Sequence, residues 1–103
     1  MPFNQLIPRP FTSGSVQMYA PIASGVYGIS NAREWIYIGE TADIQAALLA
    51  QIEDPSTAVN KHEPTGFVFE VCDQARRPAR QGRLVLEYGP SCNPHLSRYR
   101  RKL

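Results

Sequence analysis

The chain has 103 residues, 43% of them hydrophobic and 19% charged, with a formal net charge of +2; this suits one globular domain with a modest core and argues against a disordered chain. Its uninterrupted apolar runs, such as Ala46 to Ala50 and Leu84 to Leu86, fall far short of the roughly 20 residues that cross a bilayer. Pro8 and Pro10 interrupt the amino terminus before a signal-peptide core can form. A cytoplasmic protein with no membrane partner is the expectation. Cys72 and Cys92 lack metal-ligand spacing, which argues for reduced thiols and against a zinc site.

Residues 1–20 carry three prolines and Ser13-Gly14-Ser15 without sustained periodicity, and read as an extended arm that Phe3, Phe11 and Tyr19 could pin down. A domain over residues 21–95 follows. Gly25 to Ser30 places β-branched and aromatic residues at alternate positions, and after Asn31 to Glu34 comes the run Trp35-Ile36-Tyr37-Ile38-Gly39; together they predict a β-hairpin. Large apolar residues on both faces of the pair place it at the centre of a covered sheet. Thr41 or Asp43 caps a helix over residues 42–53, which Asp54-Pro55 ends. Polar residues 56–66 lead to a third strand over 67–72. A second helix is expected over 74–88, with Pro78 in its first turn or breaking it, and Gly89-Pro90 at its end. Residues 96–103 form a short basic tail. The order strand, strand, helix, strand, helix implies an α/β domain: a small three-stranded, mainly antiparallel sheet flanked by helices.

Gly25-Val26-Tyr27 and Tyr37-Ile38-Gly39 stand on the two hairpin strands, and together they resemble the paired signature of the GIY-YIG nuclease family. The resemblance spans residues 24–93. It implies that Tyr27 and Tyr37 occupy the places of tyrosines that help deprotonate water. It also implies an arginine about ten residues past the second tyrosine and a metal-binding glutamate on a later helix. Phosphodiester hydrolysis needs such parts: a nucleophile made from water, a Lewis acid and a cation against developing charge.

Both of those last two parts are missing at the expected places. Counting ten from Tyr37 reaches Ala47, and no arginine or lysine occurs from Glu40 to Asn60. Leu84-Val85, Pro90 and Asn93 fit the family's later pattern in register, which puts Gln81 where the carboxylate belongs; a neutral amide is a poor ligand for a hard divalent cation. Glu87 is the nearby acid, but six positions along a helix turn it to roughly the far face. Losing cation and anchor together removes several kcal/mol of transition-state stabilisation for each.

The remaining candidates are basic or bland. Arg76, Arg77, Arg80 and Arg83, with Arg98, Arg100, Arg101 and Lys102, concentrate positive charge in the last third, either as a nucleic-acid footprint or as a solvated helix face with a charged tail. Trp35 reads as core, and Gly25 and Gly39 as sites of close backbone packing. His62 and His95 read as solvated side chains. Three functions follow as expectations. The first is a pseudoenzyme, a catalytically inactive GIY-YIG-like domain without a cofactor that binds DNA or RNA. The second is a working endonuclease using Mg²⁺ or Mn²⁺, with its acid moved to Glu87 and its cation to one of the four helix arginines. The third is a protein-interaction domain whose old cleft docks another chain through exposed aromatics.

Overall fold

Strands that are apolar on both faces demand cover from two directions, and this chain supplies it from its two ends. The computed structural model describes residues 2–3 and 7–93. In chain order the elements are β1 (Arg9–Pro10), α1 (Ser13–Tyr19), β2 (Gly25–Ser30), β3 (Trp35–Thr41), α2 (Ile44–Glu53), α3 (Ala58–Lys61), β4 (Gly66–Val71) and α4 (Arg77–Tyr88). The basic tail over 96–103, like His95, lies outside the described residues.

The sheet runs β1-β4-β2-β3, antiparallel throughout. It therefore has four strands, where the sequence pattern predicted three. The added strand is only two residues long, Arg9 opposite Phe67 and Pro10 opposite Gly66, too short to show alternation. Proline cannot donate to a ladder, so an outer position suits it. All six residues of central β2 are buried.

The lead-in, read as an extended arm, also holds a helix. Thr12 Oγ1 accepts from the Ser15 amide at 3.2 Å, so Ser13-Gly14-Ser15 is a capped first turn rather than an irregular stretch. Val16 of that helix is fully buried. Of the pinning residues, Phe3 is buried, Phe11 is partly buried and Tyr19 is 44% exposed under the Arg9 guanidinium.

α2 begins as its cap predicts, with Asp43 Oδ1 accepting from the Ala46 amide at 3.0 Å. α3 occupies part of a segment expected to be loop, capped by Thr57. In α4, Pro78 sits in the first turn and Gly89 closes the helix in the left-handed region at φ 56°, a conformation glycine adopts without strain.

The core has two parts, one on each face. Val16, Ile29, Leu48 and Phe67 belong to the cluster under α1 and α2, joined by Tyr27. Phe3, Val26, Ile38, Val68, Leu84 and Val85 form the cluster under α4. Each fully buried large apolar side chain stabilises the fold by about 1.5–3 kcal/mol. No helix among the described residues is long and apolar enough to cross a membrane.

Candidate active-site remnant

Tyr27 stands opposite Gly39, and Tyr37 stands opposite Ile29. Residues two apart on a strand share a face, so Tyr37, Gly39 and Tyr27 lie together on the α2 side of the hairpin. The rings are 6.1 Å apart between centroids, tilted at 47°. Gly39 makes this possible: a Cβ there would lie 2.5 Å from both Cζ and the hydroxyl oxygen of Tyr27, and 2.8 Å from Tyr37 Cε2. The glycine of the second signature is thus a seat for the tyrosine of the first, as close packing predicted.

Tyr27 is 6% exposed and Tyr37 half-buried, so the aromatics of the pocket are more enclosed than the docking reading assumed. Burial first, then Tyr37 and Glu40, drive the Tyr27 phenol far above its ordinary range. Burial and then Glu40 raise Tyr37 as well. Both remain neutral phenols at physiological pH.

The next stretch of β3 carries the second group. Gln81 Nε2 donates to the Ile38 carbonyl at 3.0 Å, and Asn93 Nδ2 donates to the same oxygen at 2.8 Å. The Ile38 amide returns a bond to Asn93 Oδ1 at 3.0 Å. The Cys92 amide donates to the Ile36 carbonyl at 2.7 Å and the Ser91 amide to Trp35 at 3.1 Å. The sequence register therefore brings Gln81 and Asn93 to one carbonyl, one residue from Gly39.

Ala47 packs against the cluster that holds both tyrosines, so the place of the expected arginine is a half-buried apolar contact. Glu87 lies on an exposed face of α4, where its charge acts on Arg80. The acid whose charge reaches both tyrosines is Glu40, which the sequence reading passed over. Its signal was simple adjacency: it directly follows Gly39.

The four helix arginines divide evenly. Arg80 grips Glu70 with two bonds, at 2.7 and 2.8 Å, and reaches the Pro2 carbonyl at 2.9 Å. Arg77 Nε lies 3.0 Å from Glu40 Oε1, and its Nη1 donates to Ser24 Oγ at 3.2 Å. Arg76 is 3.8 Å from Asp73 with its side chain 81% exposed, and Arg83 is exposed. Two guanidinium groups are thus held within the fold and two face solvent.

A hard divalent cation requires several oxygens, usually with a carboxylate among them. The junction at Ile38 instead directs two amide NH₂ groups at the shared carbonyl. Glu40 is tied to Arg77, and no group of three His, Cys, Asp or Glu residues among those described is arranged to hold a metal. The residues present do not fit the cation that the resemblance implies.

Among solved structures, the chain is similar to the GIY-YIG N-terminal endonuclease domain of UvrC from Thermotoga maritima bound to its catalytic divalent cation, magnesium. The match has a TM-score of 0.63 and 24% identity, covering 76% of this chain and 94% of that one. A tyrosine-to-phenylalanine point mutant of that domain gives a TM-score of 0.64 at 21% identity, over 76% and 93% of the two chains. An asparagine-to-alanine mutant gives 0.62 at 23%, over 74% and 91%. No protein-family model matches the chain, and no curated protein does. The paired signature, the sheet and these likenesses agree that the chain has the fold of a GIY-YIG endonuclease domain.

Proposed function

We propose that this protein is a non-catalytic domain of GIY-YIG fold that binds nucleic acid through the basic side of its last third. The observation that carries the first half is the junction at Ile38. There the side chain at position 81 donates a hydrogen bond to a backbone carbonyl, which is the opposite of what a metal-binding carboxylate does. The tyrosine pair remains in place, but as neutral phenols, Tyr27 buried and Tyr37 half-buried, with Ala47 packed against the same cluster.

The second half rests on Arg76 and Arg83, exposed on α4, and on the basic composition of the chain beyond it. Guanidinium groups match phosphate geometry, and contacts of this kind are sequence-independent. The solved domain of like fold is an endonuclease domain, which supports a phosphate-backbone ligand of the same class here.

The test pairs cleavage with binding. Labelled single-stranded, duplex and branched DNA and RNA are incubated with folded protein and Mg²⁺ or Mn²⁺. No cutting is expected, with affinity that falls steeply as salt rises because bound counterions are released. Cutting that Tyr37→Phe abolishes would overturn the inactive reading. Affinity that ignores salt would overturn the nucleic-acid reading.

A further inference from the structure

Arg77 and Arg80 are one helical turn apart on α4, and each faces a glutamate from a different strand, yet the two pairs are built differently. Arg80 presents the edge of its guanidinium to both oxygens of Glu70, with the two side chains 15% and 14% exposed. Its Nη2 also donates to the Pro2 carbonyl. Two parallel bonds of this kind are strong and directional.

Arg77 is held less well. Its Nε is 3.0 Å from Glu40 Oε1, but among the described residues that buried nitrogen has no aligned hydrogen bond. The one aligned bond of Arg77 among those residues runs from Nη1 to Ser24 Oγ. A guanidinium offers five N–H donors, so a largely buried one with a single aligned acceptor retains unused capacity for an anion. Glu40 is the more open partner, 32% exposed against 15%. Its charge also reaches Tyr27 and Tyr37. Glu40 stands opposite Val26 on the α4 side of the sheet, the other face from Tyr27 and Tyr37, where its charge neutralises Arg77 and repels a phosphate that approaches this arginine.

We propose that Glu40 is an electrostatic gate on Arg77: it holds the guanidinium in a loose ion pair that a backbone phosphate must displace before the two can make contact. This rests on the nucleic-acid reading above and assigns to one residue the control of affinity on the α4 side of the sheet. Arg80, with both carboxylate oxygens engaged, is the ungated counterpart that stays structural.

The experiment measures duplex DNA affinity across a salt series for the native chain, Glu40→Gln, and Glu40→Gln with Arg77→Gln, each checked by thermal melting. Glu40→Gln keeps the shape of the side chain and removes its charge. It is expected to raise affinity about threefold to tenfold at low salt, because no carboxylate has to be displaced and the repulsion of phosphate is gone. Adding Arg77→Gln should remove that gain. Native binding with an unchanged Glu40→Gln variant overturns the gate alone, as does a gain that persists without Arg77. No native binding together with Arg77-dependent binding by Glu40→Gln overturns the nucleic-acid reading of the native chain and upholds the gate. No binding by either overturns both. If Glu40→Gln does not fold, the Arg77 side-chain NMR signal of the native chain supplies the answer: it should move at saturating duplex, and a fixed signal overturns the gate.

Discussion

The two faces of the sheet are covered by different means. Under α1 and α2 the contacts are almost all apolar, with the tyrosines as the polar exceptions. Under α4 the apolar cluster, which includes Phe3, is smaller and is rimmed by the rings of Trp35 and Tyr88 and by two arginine–glutamate pairs. The first face is held mainly by apolar burial, and its strands and α2 follow from local sequence patterns. The second depends on partners far apart in the chain, such as the Phe3 amide and the Tyr88 hydroxyl, 85 residues apart.

If that contrast is real, the largest single effect should come from the α4 side. Arg80→Ala leaves Glu70, 14% exposed, without either of its guanidinium bonds, and should cost about 2–4 kcal/mol in denaturant titration, since an abandoned buried charge is expensive. Arg76→Ala should cost nothing measurable, because that pair is solvent-exposed and 3.8 Å long. Equal effects would erase the distinction between held and solvated arginines.

On the tyrosine face, Gly39→Ala drives a methyl group into the Tyr27 ring, with an expected loss of about 1–3 kcal/mol. Tyr27→Phe combined with Gly39→Ala should recover part of the loss by removing the contact with the hydroxyl. If it recovers none, the ring rather than the hydroxyl sets the limit.

Gln81→Glu probes the line between the faces. It replaces a donor with an acceptor opposite the Ile38 carbonyl, and should destabilise the chain by about 1–2 kcal/mol through the lost bond. Melting with and without Mg²⁺ then reads whether a carboxylate at 81 creates a cation site. A rise in melting temperature with Mg²⁺ confined to this variant would confirm that the amide is what excludes the metal.

The smallest effect is a matter of pH. Because the Tyr27 phenol in the folded chain ionises well above its ordinary value of 10.0, the unfolded chain releases that proton first as pH rises. Stability is therefore unaffected below about 10 and declines above it. Tyr27→Phe removes this share, so alkaline unfolding should move to higher pH while stability at neutral pH changes little. An unchanged alkaline transition would show that Tyr27 does not resist ionisation.

Much of this fold was legible because the signals were local. The β-branched and aromatic residues of Gly25 to Ser30 and Trp35 to Gly39, the Asp43 cap and the Gly89 stop each act within a few positions, and the strands and helices they predicted are present. β1 was invisible because two residues cannot alternate, and α1 because three prolines and Ser-Gly-Ser outweighed the cap at Thr12. Motif register put Tyr27 and Tyr37 on paired strands and singled out Gln81 and Asn93, but the carbonyl of Ile38 that the last two share was not legible in it. Glu40 was missed for a physical reason: alternation assigns it to the opposite face from the tyrosines, while a charge acts through space and around a strand.

The Ser91–Asn93 segment has a consequence beyond the pocket. An outer strand with unpaired amides and carbonyls is a template onto which a second chain can add its own strand. Asn93 presents one donor and one acceptor to Ile38 as a neighbouring strand would, and the backbone of Ser91 and Cys92 continues the imitation. At the opposite margin the outer strand is only two residues long and ends in proline. This small sheet is therefore blunted at both margins against intermolecular β-pairing.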